Sequence, residues 1–164
     1  MTLRPSAPPS AAAHHFADRD TGATYPDAFA MVDAYLARFC ADAGVDVVAL
    51  DATGYAQIKR GKTLIGVNVL EDEGVLMILA PMFDVPASPK GREGSREALY
   101  RRLLELSFLQ TGDAAFAIDA KSDVVYARAL RRLSGLDYEE LVDLLATVGD
   151  VADEWDAVLR EELS

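Results

Sequence analysis

The segment 56–63, AQIKRGKT, matches the permissive form of the phosphate-binding loop, in which Ala replaces the first Gly. In such a loop the Lys and the Thr reach nucleotide phosphates, because a strand leads into a glycine-rich turn and a helix N-terminus then faces the phosphates. The residues after Thr63 read Leu-Ile-Gly-Val-Asn-Val, which is a strand pattern and not a helix pattern. A nucleotide-binding regulator that uses Lys62 and Thr63 is therefore an alternative function and not the leading one.

Histidine and cysteine are scarce, which limits the catalytic sites that the chain can form. Both histidines, His14 and His15, lie in the N-terminal segment, so no Ser-His or Cys-His pair can be assembled inside the fold. Cys40 lies on the apolar stripe of a predicted helix, which is typical of a small buried side chain. We therefore expect no catalytic residue, no cofactor, no metal site and no enzymatic activity.

Basic residues are concentrated in the middle of a chain that is acidic as a whole. The 16 Lys and Arg against 27 Asp and Glu give a net charge of −11, and a field of that sign repels phosphate backbones. The residues that could form a local basic patch are Lys59, Arg60, Lys62, Lys90, Arg92, Arg96, Arg101, Arg102, Arg131 and Arg132. A nucleic-acid-associated regulator that uses the basic region around Lys62 and Arg101 is a further alternative. We expect instead that these side chains face solvent or pair with the acidic helix of a neighbouring subunit.

The composition changes near residue 25. Residues 1–24 form an Ala/Ser-rich run that includes the adjacent Pro8 and Pro9, and such a run buries too little apolar surface to offset its ordering entropy. The sequence predicts a disordered N-terminal tail at 1–24 and one domain at 25–164. We expect a cytoplasmic protein, because a lone thiol suits a reducing compartment and no apolar run has the length of a signal peptide or a membrane span.

Hydrophobic periodicity predicts the elements of this domain. Helices are predicted at 27–43, 95–109 and 137–163, with a kink or break at Gly149 in the last one. Strands are predicted at 55–59, 63–70, 75–82, 114–119 and 124–129, with a further short strand at 46–51. The fold class is α+β, with a single antiparallel β-sheet flanked by helices in the order α-β-β-β-α-β-β-α.

The second predicted helix is apolar on two sides. Leu99, Leu103 and Leu106 form one stripe, and Tyr100, Leu104 and Phe108 form a neighbouring stripe. Together the two stripes span about 200°, which is roughly twice the width that one core face needs. The sequence therefore predicts a homodimer whose interface contains Tyr100, Leu104 and Phe108.

The C-terminal half of the chain resembles a known family. The resemblance lies in the run 103–108 (LLELSF), in 116–119 (FAID), in 124–126 (VVY) and in the long last helix with its Ala-Asp-Glu-Trp at 152–155. These segments and the order of elements are similar to YbjN proteins and to the related CesT-type (Tir chaperone) type III secretion chaperones. At 133–137 the chain reads Leu-Ser-Gly-Leu-Asp where the secretion chaperones tend to carry Leu-Pro-Leu, which favours the YbjN branch.

The resemblance implies a type III secretion chaperone-like fold, a homodimer and a non-enzymatic role, with a link to stress responses for the YbjN branch. We therefore expect a chaperone-like, adaptor or regulatory module that binds an unidentified protein partner. An exposed sheet edge and an apolar groove would receive an extended segment of that partner. Direct binding to nucleic acid or to a membrane is not expected.

Overall fold

The structure is a computed structural model that describes residues 16–87 and 95–162. Its helices are α1 (Ala28–Ala43), α2 (Ser95–Leu109) and α3 (Tyr138–Glu162). Its strands are β1 (Phe16–Ala17), β2 (Thr24–Tyr25), β3 (Tyr55–Arg60), β4 (Thr63–Leu70), β5 (Val75–Asp84), β6 (Ala115–Asp119) and β7 (Val124–Arg132). The predicted α+β class and the order of the main elements are confirmed.

Five strands form one antiparallel sheet in the order β3-β4-β5-β7-β6. Alternating residues such as Val67, Ile78 and Ala129 are paired across the sheet and are buried on one face, as expected for strands with one core-facing side. Helix α3 packs against β4, β5 and β7, and α1 packs against α3 and β4. The opposite face of the sheet is half exposed, with Met77 and Leu79 partly buried.

Helix α1 begins and ends where its capping residues predict. The Asp27 carboxylate accepts a hydrogen bond from the Ala30 N–H at 2.7 Å, and Gly44 ends the helix in the left-handed conformation at φ 65°, which is readily accessible to glycine. Leu36 and Cys40 are completely buried. The prediction that Cys40 is a small buried side chain is confirmed.

Helix α3 runs without a break through Gly149, so the kink or break predicted there is absent. Arg60 of β3 crosses the helix at this residue, and its guanidinium donates to the Ala146 carbonyl at 3.0 Å and pairs with Asp150 at 2.7 Å. A Cβ at position 149 would lie 2.6 Å from Nη1 of Arg60. Glycine is present because a side chain crosses there, and not because the helix ends.

A second, two-stranded sheet was not expected. Strands β1 and β2 form an antiparallel ribbon that packs on α1, so the predicted disordered tail is wrong for residues 16–24, while residues 1–15 lie outside the described residues. The Asp18 side chain folds the turn of the ribbon by accepting hydrogen bonds from the N–H groups of Asp20 and Thr21. Composition alone did not reveal this tertiary anchoring.

Three further boundaries differ from expectation, one of them the end of β7, which continues to Arg132, three residues past the predicted end at residue 129. Residues 46–51 form no strand, because this segment meets α1 through the Leu50 N–H, which donates to the Asp33 carboxylate at 2.8 Å. Strand β5 continues two residues past the predicted end at Met82, with an irregular register opposite β7 between Pro81 and Phe83. Proline lacks an N–H, which is typical of such an irregularity.

Candidate functional site

Within the described residues, β3 is an open edge of the five-stranded sheet. The Val69 N–H donates to the Gly54 carbonyl at 2.8 Å, and the alternation of an antiparallel ladder then directs the main-chain groups of Gln57 and Lys59 away from β4. The opposite edge, β6, is covered by α2, since the Phe116 N–H donates to Ser107 Oγ at 3.0 Å. Of the two edges, β3 is therefore the one that offers free hydrogen-bonding groups to an added strand.

An apolar groove adjoins this edge, between β3, the C-terminal half of α1 and the N-terminal third of α3. We call it the α1–α3 groove, and it comprises two adjoining cavities of about 330 and 350 Å³. Its lining includes Phe39, Val45, Ile58, Val142 and Leu145. The sequence analysis expected an apolar groove but named none of these residues. The apolar residues Phe39 and Val142, which lie in α1 and α3, were a signal that periodicity alone does not assign to a groove.

The two ends of the α1–α3 groove carry opposite charges. Arg60 lies at the β3 end, whereas Asp42, Glu139 and Asp143 lie at the other end. There the Tyr138 hydroxyl donates to Asp42 at 2.5 Å. Burial raises the pKa of Tyr138 to about 12, and the hydrogen bond to Asp42 adds to this effect. The hydroxyl therefore stays protonated at physiological pH and holds α1 against α3.

The exposed face of α2 forms a second apolar surface, defined by Tyr100, Leu104 and Phe108 and called the α2 patch. These side chains are 37%, 73% and 88% exposed, and Leu109 next to them is 77% exposed. The other stripe of the helix, Leu99, Leu103 and Leu106, is buried in the core. The structure thus confirms two apolar sides on α2 and leaves the predicted partner of the outer side untested.

The basic residues do not gather into one patch. Pairs with acidic residues of the same chain join Arg60 to Asp150, Arg96 to Asp123, Arg101 to Glu105, Arg102 to Glu162 and Arg131 to Glu140. Two of the other residues, Lys90 and Arg92, lie outside the described residues. We expected these side chains to face solvent or to pair with a neighbouring subunit. Five of the ten instead pair within the chain itself, whereas Lys59, Lys62 and Arg132 are exposed.

The phosphate-loop match lies in two strands and the turn between them. Residues 56–60 belong to β3, Gly61 and Lys62 form the hairpin turn, and Thr63 begins β4. Since β4 follows Thr63, no helix N-terminus faces this turn, and the geometry gives the nucleotide-binding alternative no support.

Within residues 16–87 and 95–162, no three His, Cys, Asp or Glu side chains are grouped as metal ligands would be. None of the helices in these ranges has the length and apolar character needed to cross a membrane.

Comparison with known proteins identifies relatives of this fold. The model of the Tir chaperone protein (CesT) family matches residues 34–156. No curated protein sequence matches the chain.

Solved structures of similar fold include three complexes. A chain of the ExsC–ExsE complex has a TM-score of 0.65 and 21% identity, covering 81% of this chain and 96% of its own length. A chain of the HopA1–SchA chaperone–effector complex has a TM-score of 0.58 and 14% identity, covering 77% and 97%. A chain of the Yersinia pestis type III secretion chaperone SycH in complex with a YscM2 fragment has a TM-score of 0.52 and 15% identity, covering 74% and 97%. At these identities the likeness concerns the fold alone.

Proposed function

Because the chain belongs to the Tir chaperone protein (CesT) family, we infer that it is a type III secretion chaperone-like module that binds an extended segment of a partner protein. It has no catalytic activity of its own. Two of the structures of similar fold are described as complexes of a chaperone with an effector or with a fragment of another protein, and the third is described as the ExsC–ExsE complex. These descriptions support a protein as the partner.

The observation that carries the proposal is the open β3 edge beside the α1–α3 groove. A partner strand would pair with the main-chain groups of Gln57 and Lys59, and its alternate side chains would enter the groove. Main-chain hydrogen bonds give affinity in such a complex, and the apolar lining around Phe39 and Val142 selects the side chains.

The active species is a homodimer that buries the α2 patch. Fully exposed apolar side chains of this size forgo roughly 1.5–3 kcal/mol each relative to burial. A two-fold axis would place the α2 patch against its own copy, and the assembly would then be closed. The β3 edge lies at the opposite side of the sheet from α2, so a dimer through α2 leaves that edge free.

The narrower assignment to the YbjN branch, with a link to stress responses and a cytoplasmic location, stays a prediction. Its support is the segment Leu133–Asp137, which contains no proline. In the fold this segment turns the chain from β7 into α3, with Leu133 and Leu136 buried and Gly135 at φ 76°.

Strand addition at β3 can be tested by a substitution that removes the main-chain N–H of Gln57. Proline is tolerated in an edge strand where its nitrogen faces away from the neighbour, but it blocks the addition of another strand. We expect affinity capture from the native cell, followed by mass spectrometry, to recover a partner with the unmodified chain and with Gln57→Thr but not with Gln57→Pro.

Equal stability of the two variants in urea would show that Gln57→Pro folds. If Gln57→Pro then captures the same partner as the unmodified chain, strand addition at β3 is wrong. Specific turnover of a small substrate by the purified protein would contradict the non-enzymatic role.

A further inference from the structure

A cavity of about 660 Å³ lies between the N-terminal ribbon, the start of α1, the β4–β5 turn and the segment that joins β7 to α3, and no residue of β3 lines it. We call it the ribbon pocket. Met31, Leu133 and Leu136 are buried side chains in its lining, and Phe16 of β1 adds an aromatic wall. An apolar floor of this kind favours a large apolar side chain over water.

Two carboxylates stand at the mouth of the ribbon pocket. Asp27 accepts from the Ala30 N–H at 2.7 Å, and Glu71 reaches from the β4–β5 turn to accept from the Phe29 N–H at 3.1 Å. Each of these bonds occupies one carboxylate oxygen, and in the described part of the chain neither group has an ion-pair partner. The opening of the ribbon pocket therefore carries a negative charge. The partial positive charge at the N-terminus of α1 offsets it only in part.

Among the described residues, one cation lines the pocket, and it does not cancel this charge. Arg19 is exposed and lies 3.9 Å from Asp137, so its own charge is shared with a carboxylate beside the pocket. At this end of the pocket the three carboxylates of Asp27, Glu71 and Asp137 outnumber the one guanidinium, that of Arg19. Charge complementarity at the ribbon pocket thus favours a cationic group.

Two sides of the pocket, the ribbon and the start of α1, precede the region that the family model matches. Phe16, Ala17 and Arg19 belong to the ribbon, whereas the match begins at residue 34. The ribbon is also fixed in place, since Asp18 is buried and lies 3.8 Å from Arg38 of α1. The ribbon side of the pocket is therefore held in position by a contact with α1.

We propose that the ribbon pocket binds a segment of the partner protein that inserts one large apolar side chain and carries Lys or Arg directly beside it. The apolar side chain packs on Met31, Leu133 and Leu136, and the cation lies at Asp27 and Glu71. This inference rests on the proposed role in partner binding and adds a second contact, chemically distinct from strand addition at β3.

The test uses the full chain and labelled pentapeptides of the form Gly-X-Lys-Lys-Gly, with Leu, Met, Phe or Trp at X. Matched peptides carry Gln or Glu in place of both Lys residues. We expect fluorescence anisotropy to show tighter binding of the Lys peptides than of the Gln peptides, with the Glu peptides weakest. The difference should shrink as salt is raised, because exposed charges are screened.

Two charge-neutralising substitutions, Asp27→Asn and Glu71→Gln, keep the shape of both side chains. Asn is as good an N-cap as Asp, and the Gln amide oxygen can still accept from Phe29. The double variant should bind the Lys peptides about three- to tenfold more weakly and the Gln peptides unchanged. The matched control is Asp72→Asn with Glu73→Gln, which removes the same charge from residues that do not line the pocket and should change binding by less than about twofold.

A third variant, Ser134→Trp, fills the pocket from an exposed position of its lining and should abolish binding of every peptide. The proposal is overturned if no peptide binds, if Lys and Gln peptides bind equally, or if Ser134→Trp leaves binding intact. None of these results would contradict the proposed function, which is tested separately by partner capture with Gln57→Pro. Likewise, a failure of that capture would not change the result of the peptide experiment.

Discussion

Asp18 shows how one side chain can order a segment whose composition predicts disorder. Its carboxylate is buried, accepts hydrogen bonds from Asp20 and Thr21 and lies near Arg38. Burial raises the pKa of Asp18, but the hydrogen bonds from Thr21 and Asp20 and the charge of Arg38 together outweigh it, so the pKa is held below 3.8. A carboxyl group with a lowered pKa in the folded state stabilises that state only while it is ionised.

We therefore expect Asp18→Asn to reduce the pH dependence of stability. The contribution of Asp18 is present above pH about 4, the usual pKa of an unfolded Asp, and is lost as the pH falls through the lower folded value. At pH 7 the unfolding free energy of the variant should be about 1 kcal/mol lower than that of the unmodified chain. Between pH 7 and pH 3 the unfolding free energy of the variant should fall by less than that of the unmodified chain. Urea denaturation at both pH values measures this, with the exposed neighbour Asp20→Asn as the control. Identical pH profiles for Asp18→Asn and the unmodified chain would contradict the assignment.

Arg60 of the edge strand β3 packs against Gly149 of the long helix α3, and this contact links the two elements. The close approach of Arg60 explains why a residue with low helix propensity lies in the middle of α3 without breaking it. The 24 other residues of the 25-residue helix and the packing of its apolar stripe on the sheet outweigh a cost of about 1 kcal/mol for one internal glycine.

The coupling between Gly149 and Arg60 can be measured by a double-mutant cycle. In the unmodified background, the gain in helix propensity from Gly149→Ala should be offset, because the new Cβ displaces the guanidinium that bonds to the Ala146 carbonyl. In the Arg60→Ala background, the same change should stabilise the protein by about 0.5–1 kcal/mol more. Unfolding free energies of the four proteins give the coupling, and strict additivity would rule out the close approach as the reason for glycine.

At the scale of the whole molecule, the main question is what covers the α2 patch. Phe108 and Leu104 are among the most exposed large apolar side chains in the described part of the chain. The net charge of −11 opposes association at long range, although its effect between exposed charges weakens beyond a Debye length of about 8 Å. An apolar contact between two copies can therefore still form at physiological salt.

We expect sedimentation at micromolar concentration to show a dimer that Leu104→Glu converts to a monomer. In a two-fold contact the substitution places two carboxylates in an apolar interface, and burying an unpaired charge is strongly unfavourable. Two control variants should leave the dimer intact: Ala98→Glu, which changes an exposed residue of α2 outside the patch, and Cys40→Ser, which changes a buried residue of α1.

Two different results would contradict the prediction of a dimer through the α2 patch. A monomer for the unmodified chain would show that the dimer is wrong. A dimer that survives Leu104→Glu would keep the dimer and exclude the α2 patch as its interface.

The sequence by its periodicity predicted the three helices and the five strands of the larger sheet in their order, because hydrophobic periodicity is a local signal; it missed β1 and β2 and added a strand at 46–51. The predicted strand at 63–70 has the bounds of β4, and the predicted helix at 27–43 begins one residue before α1. The two apolar stripes of α2 were also readable, since they depend on spacing along one helix.

Only the tertiary structure decided which surfaces these elements leave open. The free edge at Gln57 depends on strand order, the α1–α3 groove on the distance between two helices, and the ribbon pocket on Phe16 and Glu71 meeting across 55 residues of chain. Gly149 was misread for the same reason, because nothing near it in the sequence reveals that Arg60 crosses the helix. Contacts between residues far apart in the chain are set by packing, which periodicity does not encode.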